Sequence, residues 1–279
     1  MLRTRLAAAF RRLSISTKLS AAVVAGFLVV FALFAGFVGW HTTRLLNERA
    51  LEDLTLQAQE AVKLLETTDA ATRDAVGRLG NLLRDRLSGE ASASAAYRVN
   101  NALTADLRIG GVLMNGNFDT LDRFAKDSGT TATLFVRAGN DFVRVSTTVR
   151  KQDGTRAVGT TLAADSPALS ALRTGQRYVG PTTLFGKTLM TRYEPLVNRA
   201  GEVVGALFVG LDLSEQLEAA KQTIRAIKIG KTGYIYALDA NAGEHYGMLT
   251  IHPAQEGKNI LKAKDSDGRE FIREIVERK

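Results

Sequence analysis

ATLFVRAGNDFVRVST, residues 132–147, is where the hydrophobic period of the chain changes. Upstream, apolar residues recur every three or four positions. Here they alternate with period two. Ala132–Arg137 and Asp141–Thr147 flank Ala138-Gly139-Asn140, which is the pattern of two strands joined by a tight turn. Two more strands follow, Thr188–Val197 and Glu202–Asp212, joined by Asn198-Arg199-Ala200-Gly201. Together they predict an antiparallel sheet with a long insertion after its second strand.

That insertion begins VSTTVRKQDGTRAVGTTL, residues 145–162. Arg150, Lys151 and Arg156 surround an Asp153-Gly154 turn, with Ser146, Thr147, Thr148, Thr155, Thr160 and Thr161 on both flanks. Such a loop is either a solvated turn or a site for something negatively charged. Ser166-Pro167 then starts a short helix, with the hydroxyl as its cap, and Gly175 ends it.

Before the sheet the pattern is helical. Leu51, Leu54, Ala58, Ala61 and Leu65 form a stripe that resumes at Val76, Leu79, Leu83 and Leu87. A helix over Thr42–Leu87 would be ~65 Å long. It either packs along a sheet or forms a dimer contact, and periodicity does not separate the two. Ser88-Gly89 stops it, SGEASASA reads as a loop, and a second helix is predicted over Tyr97–Ile109. Asn117 is expected to cap a short helix carrying Phe118, Leu121 and Phe124, closed by Gly129.

Residues 20–40, SAAVVAGFLVVFALFAGFVGW, carry no charge. As a helix they match a ~30 Å hydrocarbon core. Arg3, Arg5, Arg11, Arg12 and Lys18 precede them without a single acid, and Glu48, Glu52 and Asp53 follow. The positive-inside rule then predicts a cytoplasmic basic N-terminus (1–18), an inner-membrane helix (19–41) and a periplasmic region (42–279). A cleaved signal peptide would have a shorter apolar region, and Phe37-Val38-Gly39-Trp40 is a poor cut site. These five cations supply most of the net charge of +8, so the excess sits beside the membrane segment. A nucleic-acid partner is therefore not expected.

The chain has 279 residues and no cysteine, which excludes thiol catalysis, disulfides and cysteine-ligated zinc. Gly186-Lys187-Thr188 and Gly230-Lys231-Thr232 imitate the end of a phosphate-binding loop but lack its first glycine at the required spacing. His41, His245 and His252 are scattered and predict no metal site. No catalytic constellation emerges, so neither an enzyme nor a cofactor is expected.

Ser214–Ile229 reads as a helix, with Leu217, Ala220 and Ile224 on one side, connecting to a further unit. GYIYALDA (233–240) and LTIHP (249–253) read as strands, and Asp267–Lys279 as a helix with Phe271, Ile272, Ile275 and Val276 on one side. About fifty residues in this layout offer too few strands for a core of their own.

The runs FVRVSTTVRKQDGTRAVGTTL, YVGPTTLFGKTLMTRYEPLV and GEVVGALFVGLDL resemble the membrane-distal half of the Cache 3/Cache 2 fusion sensor of bacterial methyl-accepting chemotaxis proteins. GKTGYIYALDA…IHP…GKNI…DSDGREF looks like the opening of its Cache 2 half, so the resemblance spans about residues 45–279. It implies an α+β fold: a transmembrane helix, a first Cache module (42–212) made of a long N-terminal helix and a PAS-like antiparallel sheet, a connecting helix (213–229) and an incomplete second Cache-like unit (230–279). It also implies a periplasmic ligand site, a homodimer and signalling across the inner membrane. The second half stops in a helix and the signalling hairpin is absent, so a truncated gene or a fragment is expected, able to sense but not to signal to a kinase. The same ectodomain suits a histidine kinase or a diguanylate cyclase, and a module that dimerises and binds nothing is the other reading.

In PAS-like sensors the ligand lies between the sheet and the loops over one face. Alternation puts Arg144 with Phe142 and Ser146 on one face, and Thr191 and Tyr193 with Lys187, while Arg192 points the other way. An Arg inside an apolar strand needs a partner. Glu194 or Asp141 would serve structurally, and a ligand carboxylate would serve functionally. The candidate ligand-binding set is Arg144, Arg150, Arg156, Lys187, Thr191 and Tyr193, for a small anionic metabolite.

Overall fold

The computed structural model describes residues 15–99 and 102–277. The chain divides into two compact units, Met1–Glu60 and Ala61–Lys279. Helix α1 is continuous over Ile15–Arg86. In the first unit its apolar side chains face outward on all sides, and Phe27, Phe31, Phe34 and Phe37 are each more than half exposed. Water does not tolerate such a surface, whereas a bilayer covers it. Among the described residues this is the one helix long and apolar enough to cross a membrane, and it fits a membrane anchor. Arg3, Arg5, Arg11 and Arg12 of the basic segment lie outside the described residues.

The second unit is built on a five-stranded antiparallel sheet. In chain order its strands are β4 (Thr131–Ala138), β5 (Asp141–Thr147), β6 (Tyr178–Leu184), β7 (Lys187–Val197) and β8 (Val203–Asp212). Their spatial order is β5-β4-β8-β7-β6. Both faces are covered, and period two divides the side chains between them. Leu134, Val143, Val145, Leu207 and Val209 join a core with Val76 and Leu83 of α1. Phe135, Phe142, Ala206, Phe208 and Tyr193 join a second core with Leu169 and Leu172 of helix α3 (Pro167–Arg173).

Four local expectations change. The last five residues of the SGEASASA loop and the predicted helix over Tyr97–Ile109 together form a hairpin of β1 (Ala91–Val99) and β2 (Ala102–Ile109), extended by β3 (Val112–Leu113). Ala and Leu favour helix locally, but Leu107 and Ile109 alternate into the core beside α1, and burial outweighs propensity. Strand β6 escapes detection because Gly180 and Pro181 read as breakers. It is an edge strand, where Pro costs no ladder bond. The cap of helix α2 (Asp119–Ser128) falls on Phe118, with no side-chain hydrogen bond, although Gly129 closes it at φ 67 as expected. Ser166 precedes α3 without a capping side-chain bond, and Pro167 alone sets its first turn.

Downstream, helix α4 (Ser214–Ala226) is followed by two short pairs. These are β9 (Lys228–Ile229) with β10 (Gly233–Tyr234), and β11 (Ala237–Leu238) with β12 (Leu249–Ile251). Ile224 and Ile251 pack with Ala61 in a small third core. Helix α5 (Phe271–Glu277) buries Ile272 and Val276 and leaves Ile275 exposed.

Candidate functional site

A cavity of about 660 Å³ lies on the α3 face of the sheet. Its wall includes Arg144 from β5, Tyr193 from β7, Thr160 and Thr161 from the insertion, Asp165 before α3, and Phe185 from the β6–β7 turn. The insertion reaches this position by closing the free edge of β5. Arg144 N–H donates to Thr160 O at 2.9 Å, Gly159 N–H to Arg144 O at 2.8 Å and Leu162 N–H to Phe142 O at 3.2 Å.

Arg144 is 3% exposed. Its Nη1 donates to Thr160 Oγ1 at 2.8 Å and Thr161 O at 3.0 Å. The guanidinium carbon stands 4.9 Å from the centre of the Phe135 ring. Its Nε has no hydrogen-bond partner, and among the described residues no carboxylate pairs with it. Burial lowers its pKa, while neighbouring Tyr193 raises it.

Tyr193 is fully buried, its ring 4.8 Å from Phe208 and 6.2 Å from Phe135. Its hydroxyl also has no partner. Burial pushes its pKa up to about 12, against a lowering effect of Arg144 and a raising one of Tyr178. Buried polar atoms are usually satisfied. Arg144 and Tyr193 both line the cavity, and each keeps one buried donor without a partner, one on a cation and one on a neutral phenol.

The expected internal partners of Arg144 are engaged elsewhere. Asp141 lies 3.6 Å from Arg173. Glu194 points to the opposite face with Arg192, Arg177 and Arg84. Arg192 donates to Gly77 O and Asn81 Oδ1 of α1 and pairs with Glu194. Burial, then Arg177 and Arg84, pushes its pKa down to about 10. Gly80 makes this approach possible, since a methyl there would lie 2.7 Å from Arg192 Cδ.

The remaining candidates divide. Arg156 forms a bidentate pair with Asp122, both bonds 2.8 Å, donates to Thr147 O and covers the Phe118 ring at 4.5 Å. That is a structural clamp between the insertion and α2. Thr191 faces the Tyr193 side but donates to Gly180 O at 2.7 Å and meets Thr182 Oγ1 at 3.2 Å. Arg150 and Lys187 line a separate cavity, where Lys187 pairs with Asp212 at 3.0 Å.

Ser146 leaves the Arg144 face. A bulge makes Leu134 pair with Ser146 while Phe135 pairs with Arg144, and neighbours on one strand point to opposite sides. Ser146 Oγ donates instead to Asn117 O at 2.6 Å. Thr160 and Thr161 stood in the conspicuous hydroxyl-rich stretch. Asp165 and Phe185 carried no sequence signal, because only the return of the chain to the sheet brings them to the cavity.

Solved structures of several sensor domains match this chain at low identity. The ligand-binding domain of the Pseudomonas aeruginosa amino acid chemoreceptor PctC in complex with GABA matches at 16% identity and a TM-score of 0.39, over 75% of this chain and 76% of that one. Methyl-accepting chemotaxis protein X matches at 14% identity and 0.35, over 80% and 83%. The E. coli DcuS sensor domain matches at 15% identity and 0.27, over 38% and 70%. No sequence among curated proteins matches the chain. The description of the Cache 3/Cache 2 fusion domain matches residues 40–279, which include the sheet and both cavities. On that match the chain belongs to the Cache 3/Cache 2 fusion family, whose members are ligand-binding sensor domains of membrane receptors rather than enzymes.

Proposed function

We propose that this chain is the extracytoplasmic sensing region of a transmembrane receptor of the methyl-accepting chemotaxis type, and that it binds a small organic carboxylate beside Arg144 and Tyr193. The observation that carries this is a buried arginine with no carboxylate partner and an unused Nε, next to a buried phenol with an unused hydroxyl, both on one cavity. A carboxylate would accept from both groups, with Thr160 and Thr161 completing the polar shell. Its charge would offset the cost of burying the guanidinium.

In this reading the N-terminus lies in the cytoplasm, α1 anchors the chain in the inner membrane, and residues 42–279 lie outside. Residues 42–212 form the first Cache module, 213–229 the connecting helix and 230–279 the start of a second module. The protein acts as a homodimer through residues 45–87. Strand β7 is suited to transmission: Tyr193 faces the cavity, while Arg192 beside it holds Gly77 and Asn81 of α1. Ligand closure would shift β7 and bias the helix. The same sensing region would serve a histidine kinase or a diguanylate cyclase equally well.

The test is a thermal-shift screen of the full chain in detergent against organic acids, amino acids and phosphates. A ligand at 100 times its Kd adds about 2.7 kcal/mol. A stabilising carboxylate whose effect disappears in Arg144→Ala supports the site. If every stabilising carboxylate keeps its effect after the substitution, or no carboxylate stabilises the folded protein, the site is rejected.

A further inference from the structure

The cationic loop of the sequence is only partly accounted for by the first cavity. Arg144 lies there and Arg156 is committed to Asp122, but Arg150 and Lys151 face another space. This second cavity, of about 700 Å³, lies between the start of β4, the 148–154 loop, the β6–β7 turn and the end of β8. Its wall carries three cations, Arg150, Lys151 and Lys187, and one carboxylate, Asp212.

We infer that this cavity is a second binding site, selective for a small dianion, either a dicarboxylate or a phosphate. The charges support that class. Asp212 is already engaged by Lys187 at 3.0 Å and by the Ser214 hydroxyl and N–H, and the Ser214 hydroxyl bond is the largest of the effects that hold its pKa low. Arg150 gives one Nη1 bond to Gly154 O and keeps the rest of its fork. Among the described residues no carboxylate lies within ion-pair distance of Lys151. The nearby Asp153 is not part of the wall; bonds from the hydroxyl and N–H of Thr155 hold its pKa low, and the charge of Lys151 adds to that effect. Counted over its wall alone, the cavity carries a formal excess of two positive charges, the charge of a dianion. The volume lies in the usual range for small-molecule sites, roughly 300–1,000 Å³.

The two cavities share one partition, Leu184 and Phe185 at the β6–β7 turn. Phe185 holds φ 50, a left-handed conformation that a bulky side chain adopts only when its surroundings impose it. This partition places the two sites back to back, so a ligand in one bears on the wall of the other.

The test is calorimetric titration of the full chain in detergent micelles at low ionic strength, with inorganic phosphate and with malonate as separate probes. In the wild type at least one probe binds. Arg144→Gln leaves that affinity within about two-fold, the double variant Arg150→Gln/Lys151→Gln weakens it at least ten-fold, and Lys151→Glu, which reverses one charge on an accessible side chain, weakens it as well. Preference for malonate assigns a dicarboxylate, and preference for phosphate assigns a phosphate. If the double variant does not fold, Lys151→Glu decides. Three results overturn the proposal: neither probe binds the wild type at millimolar concentration; the Arg150 and Lys151 variants bind as the wild type does; or Arg144→Gln abolishes dianion binding, which returns the anion to the first cavity.

Discussion

Arg144 and Arg192 are both almost fully buried, on opposite faces of one sheet, and they are treated in opposite ways. Arg192 is tied into protein: Glu194, the Gly77 carbonyl and the Asn81 amide oxygen engage its two terminal nitrogens, and it fixes α1 to β7, although its Nε, like that of Arg144, has no partner. Arg144 has a hydroxyl, a carbonyl and an aromatic ring, but no carboxylate, and it opens onto a cavity. A charge neutralised within the protein holds the fold together. A charge left without its counter-ion keeps the capacity to take one from outside. The contrast separates the two faces of the sheet more clearly than hydrophobicity, since both faces carry a complete apolar core.

The comparison breaks most readily at Glu194. Glu194→Ala leaves Arg192 buried without its carboxylate and is expected to destabilise the chain by about 3–5 kcal/mol in denaturant unfolding. A loss as small as that of a surface pair would mean that the face is not locked by charge. Next comes Gly80→Ala. Helix propensity alone would make it stabilising by about 1 kcal/mol. The contact with Arg192 should reverse the sign and cost about 1–3 kcal/mol, and a stabilised variant would show that α1 has room to move on β7.

The third measurement sharpens the cavity side. Folded Tyr193 keeps its proton to about pH 12, while in the unfolded chain it ionises near 10. Between these values the unfolded state binds fewer protons, so stability falls as pH rises. The slope attributable to Tyr193 is roughly 1.4 kcal/mol per pH unit. Tyr193→Phe should remove that slope while leaving stability at neutral pH within about 1 kcal/mol. An unchanged alkaline profile would place the phenol in contact with water. The smallest effect belongs to Arg144→Met. Because no internal carboxylate is orphaned, the substitution should change stability by less than about 1 kcal/mol, or raise it, while ligand stabilisation disappears. A loss comparable to that of Glu194→Ala would make Arg144 structural and erase the distinction between the faces.

The sheet was readable where side chains alternate cleanly, in β4, β5, β7 and β8, because period two is a local property of the residues. The hairpin of β1 and β2 was not. Its helix-favouring residues are extended only because Leu107 and Ile109 find the core of α1 and the sheet. Strand β6, with its Pro181, exists because β7 supplies a partner along one side.

The site divides in the same way. Sequence alone determined that an arginine sits inside an apolar strand, that Tyr193 and Arg192 point to opposite faces, and that cations and hydroxyls gather on one loop, since strand alternation and composition need no distant contact. It also determined the apolar helix, since length and the absence of charge are properties of twenty-odd consecutive residues. Only the tertiary structure decided which cations remain available. Arg156 meets Asp122 from 34 positions away, and Arg192 meets Asn81 from 111. The bulge at Val145 turned Ser146 away from Arg144, and the Thr160–Thr161 return closed the wall around it. The availability of a charge depends on which partners come within a few ångströms, and that is set by the folded chain rather than by any segment of it.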